Sequence, residues 1–471
     1  MKGVLKMIKL SLKDYAFLLG YEYQGDEEIY FNRIILDSRK VISGDLFLAV
    51  KGEETDGHKY ISQALENGAV GVLSLGENQD VLLEKANYII GNAKDKIEEV
   101  FYKTGKIIKS KSKAKIIGIT GSVGKTSTKD MLYAVLKKEF QVIKTEGNYN
   151  NELGLPMTMT KADENTDFMI LEMGMRGLGE ISYLSEIAEP DYGIITSIEP
   201  VHAELLGSIE NIAKAKSEIA EKISQQGCLV INYKDKNLLM PNLNKFKGKI
   251  ITVGFSKEAD YFIKEITNEE EKGTEFILES KDNERKIRIN VLGKHNVQNA
   301  AAVTALADYI GVNEKSLEGL QEVDFSEMRF SIKEVADVKI INDAYNANPS
   351  STSFALESLS KIKGNRKIFI FADMFELGDY EKEGHERIGL KAKEEKVDII
   401  FLLGDKVSYT YDKLRKINYN MKNVFFFNDR TQLLEQIKKI IQKGDVILLK
   451  GSRGMHLEKT EKEIEEFLNV L

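Results

Sequence analysis

The segment Ile119-Thr120-Gly121-Ser122-Val123-Gly124-Lys125-Thr126-Ser127-Thr128 follows directly on the apolar run Ile116-Ile117-Gly118. A β-rich run, a glycine loop and a Lys-Thr pair opening a helical stretch constrain the chain to a strand–loop–helix unit. The glycines let backbone N–H groups turn inward, and the helix N-terminus adds a favourable dipole for an anion. In such a loop Lys125 reaches the terminal phosphates of a nucleotide and the Thr126 hydroxyl ligates Mg²⁺. The general pattern G-x-x-x-x-G-K-[ST] asks for glycine where this chain has Ile119, and the earlier glycine in register is Gly121. Residues Gly121, Ser122, Val123, Gly124, Lys125, Thr126 and Ser127 therefore predict phosphate binding. They do not say what the nucleotide is used for.

A length of 471 residues suits about three domains. The chain is 42% hydrophobic and 30% charged, as a soluble globular protein is. Its net charge of -7 comes from 67 basic and 74 acidic residues with no basic block, which argues against nucleic acid as a partner. One cysteine, Cys228, excludes an internal disulfide and reads as a buried strand residue. Lys2, Lys6, Lys9, Lys13 and Asp14 interrupt any signal-peptide core, and no apolar run approaches the ~18 residues of a bilayer span. A cytoplasmic protein without membrane insertion is expected.

Three sections differ in texture. Residues 1–107 hold short strand candidates at Arg33–Leu36, Asp45–Val50 and Val70–Leu73, then a lysine-rich helical connector. Residues 108–326 alternate apolar runs (Phe168–Leu171, Gly193–Thr196, Leu229–Ile231) with helical stretches, which predicts βα units around a mostly parallel sheet. Between about 250 and 292 the strand-like pieces read as antiparallel additions to that sheet. Residues 327–471 repeat the alternation with five runs and read as a doubly wound, Rossmann-like domain without G-x-G-x-x-G.

Polar clusters follow several strands. Asn148, Asn150 and Asn151 crowd one glycine-bounded loop, more than a turn requires. Glu172 ends a buried run, at the strand end where parallel sheets bind ligands, and is placed to hold Mg²⁺. His202 also lies just past a strand, but its spacing alone does not make it a ligand. On periodicity alone Lys216 is a solvated helix lysine. In the third section Asn342–Pro349, Asp373–Gly378 and Lys450–Met455 each follow a strand and together predict a second binding face.

Taken in order, these segments resemble the Mur ligases of peptidoglycan precursor synthesis over nearly the whole chain. Gly121–Thr126 is similar to the family's own loop, glycine–two residues–glycine–lysine–threonine, so Ile119 fits that form. Asp343, Tyr345-Asn346-Ala347-Asn348-Pro349, Asp373–Gly378 and Lys450–Arg453 resemble the branch that adds D-alanyl-D-alanine to a UDP-N-acetylmuramoyl tripeptide. The sister branch adding the third amino acid, diaminopimelate or lysine, usually shows tyrosine-alanine-histidine where Tyr345-Asn346-Ala347 stands and an Asp-Asn-Pro-Arg element that this sequence lacks.

The resemblance implies a small α/β UDP-binding first domain, with Ser38 and Arg39 on the UDP-sugar, a central ATP-binding domain and a third domain for the dipeptide. It implies ATP, two Mg²⁺ ions and CO₂ held as a carbamate on Lys216. Lys125, Glu172, His202, Lys216 and Arg329 form the implied catalytic set, and Thr126, Glu172, His202 and Lys216 the implied metal ligands. Asn296 and Asn299 are implied at the adenine, Arg329 at the phosphates and Asp343 at the ribose. Asn148, Asn150, Asn151, Tyr345, Asn346, Asn348, Lys450 and Ser452 are implied around the peptide substrates. The chain departs from the family pattern at Glu199, usually glycine, and Val201, commonly alanine. A monomer is expected, joining carboxylate to amine through an acyl phosphate. A P-loop switch that hydrolyses nucleotide to change partners is the alternative from another class, and it leaves the Asn-rich third-domain face unexplained.

Overall fold

The computed structural model describes residues 10–52, 55–76, 86–200, 203–271, 273–326 and 328–470. Its strands form three sheets, each from one stretch of chain. The first runs in spatial order Glu22–Gln24, Tyr88–Gly91, Gly71–Leu75, Asp45–Ala49, Arg33–Ile35, parallel except for its first strand. Asp45–Ala49 is buried at every position, as the unbroken apolar run Leu46–Ala49 demands of a strand covered on both faces. Its one charged residue, Asp45, is satisfied by Arg33 at 2.7 Å.

The central sheet has nine strands, ordered Glu284–Ile289, Gly273–Ser280, Tyr261–Glu270, Lys249–Gly254, Cys228–Asn232, Tyr192–Ile195, Lys115–Thr120, Phe168–Glu172, Val142–Lys144. All neighbours are parallel from Val142–Lys144 through Tyr261–Glu270, and the last two pairings are antiparallel. Cys228 is fully buried in its strand. The chain order reverses around Lys115–Thr120, which puts the P-loop at the switch point where open α/β sheets bind ligands. Behind it the helix Lys294–Ile310 buries Ala300, Ala301, Ala305 and Ala307, small residues that let helix and sheet approach closely.

The third sheet is ordered Ser331–Val335, Val338–Asn342, Asp445–Lys450, Arg366–Ala372, Ile399–Leu403, Val424–Phe427. Its parallel strands are those the apolar runs predict. Ser331–Val335, antiparallel at the edge, has no such run: it is largely exposed and carries Lys333 and Glu334, which guard an open edge. No helix among the described residues is long and apolar enough to cross a membrane.

The helix Ile97–Lys111 runs unbroken through residue 107, where sequence texture ends the first section. It buries Val100, Phe101, Thr104, Gly105, Ile107 and Ile108. Thr104 and Tyr15 of the first body share a hydrogen bond at 2.6 Å, whereas Tyr102 donates to Glu186 of the central body at 2.8 Å. One apolar cluster accordingly continues from Leu10 and Tyr15 through Phe101 to Leu155 and Ile187. A Cβ at Gly105 would sit 2.3 Å from the Ile187 methyl Cγ2. Gly105→Val should therefore lower stability by roughly 1–3 kcal/mol through overpacking, read as a drop in the thermal melting midpoint.

Candidate active site

Two connected cavities meet at the P-loop: a cleft of about 800 Å³ and a smaller pocket of about 400 Å³, with Val123 and Gly124 lining both. The loop leaves Thr120 with Gly121 at φ +145 and closes on Gly124 at φ +89. A Cβ at Gly121 would fall 1.9 Å from Thr196 Oγ1, and one at Gly124 would fall 2.8 Å from Asn299 Oδ1. Both positions need glycine on conformational and steric grounds. Ser122–Ser127 line the large cleft, and the helix Lys125–Leu136 points its N-terminus into it.

Glu172 ends its strand 3% exposed. Thr126 Oγ1 donates to one of its oxygens and Asn150 Nδ2 to the other, each at 2.9 Å. Lys129 Nζ lies 4.0 Å behind it, also buried; no sequence motif marked this lysine, since helix periodicity gives it no special place. Lys125 folds back so that Nζ donates to the Gly121 carbonyl at 2.8 Å. Burial holds its amine below the usual lysine range, Arg329 lowers it further, and Glu172 opposes both.

Lys216 is not the solvated helix residue that periodicity alone suggests. It is 2% exposed at the end of the helix Ile209–Ser217, lines the large cleft and makes no hydrogen bond or ion pair with a described residue. Its helix packs Ile212, Ala213 and Ala215 inward and carries Lys216 with them. Burial, with Lys125 nearby, holds its amine well below the usual range and so works against the ammonium form. His202 and Val201 lie outside the described residues.

The third body reaches the same cleft. Arg329 sits between two left-handed residues, Met328 (φ 58) and Phe330 (φ 56), a locally costly backbone that aims its side chain. Its Nη2 donates to Thr126 Oγ1 at 3.3 Å, and its guanidinium lies 4.2 Å over the Tyr345 ring. Tyr345, Asn346 and Asn348 line the same cleft as Asn148, Asn150 and Asn151. Asn348 also caps the helix Pro349–Lys361 through the Ser351 N–H.

Other expected residues lie elsewhere. Lys450 is buried, pairs with Asp343 at 2.7 Å and donates to the Asp343 and Asn346 carbonyls, so it braces the Asn342–Pro349 loop from behind. Ser452 accepts from the Phe375 N–H and does not line the cleft. Asn296 gives its amide to the Leu292 carbonyl, while His295, Gln298 and Asn299 line the smaller pocket with Tyr233 and Phe255. Ser38 bonds Gln63 and Arg39 pairs with Asp37, both outside the two cavities. From the first section it is Glu98 that reaches the large cleft.

Thr126 and Glu172 supply adjacent hard oxygen donors, the kind Mg²⁺ takes. An aromatic pocket, a phosphate loop and a long polar cleft in line make a site for a nucleotide beside a second, larger substrate. The comparisons with known proteins agree with that class. The Mur ligase middle domain model matches residues 119–307, the Mur ligase glutamate ligase domain model 328–453, and the Mur ligase family catalytic domain model 30–121. The chain belongs to the Mur ligase family. It is 35% identical over 468 residues to the UDP-N-acetylmuramoyl-tripeptide–D-alanyl-D-alanine ligase of Bacillus subtilis, covering 99% of this chain and 98% of that protein. Among solved structures it resembles MurF from Acinetobacter baumannii (TM-score 0.84, 26% identity, 98% and 99% of the two chains). It also resembles MurF ligase from Thermotoga maritima in complex with ADP (TM-score 0.78, 26% identity, 93% and 98%).

The Lys216 environment can be titrated. With a folded pKa below its unfolded value of about 10.5, the unfolded chain binds the extra proton between the two, so stability rises with pH across that window. Lys216→Met keeps the apolar stem and removes the amine. Its stability should lack that rise, and in denaturant titrations from neutral pH to about pH 10 the wild type should gain on the variant.

Proposed function

We propose that the chain is an ATP-dependent ligase joining D-alanyl-D-alanine to a UDP-N-acetylmuramoyl tripeptide for peptidoglycan synthesis. The convergence of the P-loop, the buried Lys216 and the third body's Tyr345-Asn346-Ala347-Asn348 loop on one cleft carries this reading. ATP seats its base in the aromatic pocket with Asn299 and its phosphates on residues Gly121–Ser127. Asp343, tied to Lys450, lies on the ribose side. The tripeptide approaches along Asn148, Asn150 and Asn151 with its UDP end on the first body at Ser38 and Arg39, and the dipeptide lies against Tyr345, Asn346 and Asn348.

The tripeptide carboxylate attacks the γ-phosphate, releasing ADP and forming an acyl phosphate. The dipeptide amine then attacks the acyl carbon, expels phosphate and loses a proton, leaving an amide. Two anions must meet in the first step. Lys125 and Arg329 oppose that repulsion, and backbone N–H groups of the loop follow the charge as it moves to the departing ADP. Tyr345 under Arg329 holds the guanidinium in place. Closure of the third body over the cleft keeps water from the acyl phosphate.

Thr126, Glu172, His202 and a carbamate on Lys216 are the residues to hold two Mg²⁺ ions, which when bound supply further positive charge at the phosphates. The carbamate forms when the neutral Lys216 amine adds to CO₂ and releases a proton. The burial that disfavours ammonium favours this reaction. A monomer completes the site, since all three bodies come from one chain.

An amine panel tests the reading: ADP release with UDP-N-acetylmuramoyl tripeptide should require D-alanyl-D-alanine, and turnover with lysine or diaminopimelate on the shorter dipeptide precursor would assign the sister reaction instead. Lys125→Met should cut kcat by about a hundred-fold or more. With isotopically labelled bicarbonate, a carbamate signal should appear in the wild type and vanish in Lys216→Ala, together with activity.

A further inference from the structure

The helix Pro349–Lys361 lays one stripe on the central body. Ser350 Oγ donates to Glu199 Oε2 at 2.8 Å, and the Phe354 ring stacks on His295 with centroids 4.8 Å apart and planes at 18°. Ser358 Oγ lies 3.1 Å from where a Gly293 Cβ would stand, and Lys361 pairs with Glu269. Residues 350, 354, 358 and 361 fall on one helix face by spacing. Burial lowers the His295 pKa to about 4, so this stack is between neutral rings at physiological pH.

One end of the stripe is wired to the P-loop. The Glu199 N–H donates to Ser122 Oγ at 3.0 Å, and Ser122 Oγ donates back to the Glu199 carbonyl at 3.0 Å. The serine hydroxyl is thus spent on residue 199. The Glu199 carboxylate, held on its other oxygen by Lys234 at 2.6 Å, faces the N-terminal turn of a 13-residue helix, where an anion is also favoured by the dipole. Ser350 is 4% exposed and stands two residues past Asn348, which lines the large cleft.

We propose that Glu199 is a positioning residue: through Ser350 it fixes the seat of the third body's helix to the P-loop, so that the dipeptide-binding loop docks in register with the nucleotide phosphates. The inference rests on the ligase reading above. Loss of the latch leaves the loop out of register and admits water, which adds to the acyl carbon, expels phosphate and returns the carboxylate without forming an amide.

The test compares wild type, Glu199→Ala, Ser350→Ala, their double variant and the hydroxyl-retaining Ser350→Thr. With ATP, UDP-N-acetylmuramoyl tripeptide and D-alanyl-D-alanine, phosphate released per amide formed and KM for the dipeptide are measured. Each alanine variant should raise both by about ten-fold, the worth of a hydrogen bond to a charged group. KM for ATP should stay within about two-fold. The double variant should be no worse than either single one, and Ser350→Thr should behave as wild type. Wild-type coupling in both alanine variants overturns the proposal, as do strictly multiplicative effects in the double variant. A wild type that makes no amide from D-alanyl-D-alanine sinks the ligase reading instead. The latch is then judged by solution scattering with ADP, where Glu199→Ala should be more extended than wild type; equal dimensions overturn it.

Discussion

A carboxylate ending a buried strand must be satisfied or lose its charge, and Glu172 meets that demand with three groups from two other elements. Thr126 comes from the P-loop helix, Asn150 from the asparagine loop and Lys129 from one turn further along the helix. Bonding all three to one side chain fixes the helix and the loop relative to the strand. Arg329 then attaches to the same Thr126 hydroxyl, so the third body's approach is referenced to the carboxylate as well. Replace Glu172 with an apolar residue and each of these groups loses its common anchor.

Around that anchor the cleft holds two lysine amines under poor solvation. Lys125 and Lys216 are both held below the ordinary lysine range by burial, with Arg329 adding to the effect on Lys125 and Lys125 to that on Lys216. The same cleft is lined by Glu98, Glu152, Glu172, Glu180 and Glu376, so a bound phosphate meets both signs of charge and its place is set by where Lys125 and Arg329 stand. Charged groups fixed by packing in this way are the condition under which electrostatic stabilisation is most effective.

The features legible in the sequence are those with local causes. Buried parallel strands read as apolar runs, the P-loop as a glycine spacing, and the asparagine loop and Tyr345–Asn348 as polar residues at strand ends. What escaped depends on partners far along the chain. Lys216 looks solvated because its helix is only partly amphipathic, and burial is imposed by the bodies around it. Lys450 and Asn296 carry polar groups suited to ligands, yet spend them on backbone carbonyls, and only the fold shows those acceptors. Ser331–Val335 is too polar to read as a strand. Glu199 and Ser350 meet across 151 residues of chain, beyond any local pattern.

The helix Ile97–Lys111 has a consequence for how the chain divides into modules. Because its apolar face is shared between the first and central sheets, neither can be cut out at residue 107 without exposing Phe101 and Ile108. The first two bodies therefore share one packed core. The third is joined by a single covalent crossing, by polar and stacked contacts and by Leu292, which packs into its apolar core, so its seam with the phosphate loop is narrower than the one the helix Ile97–Lys111 makes.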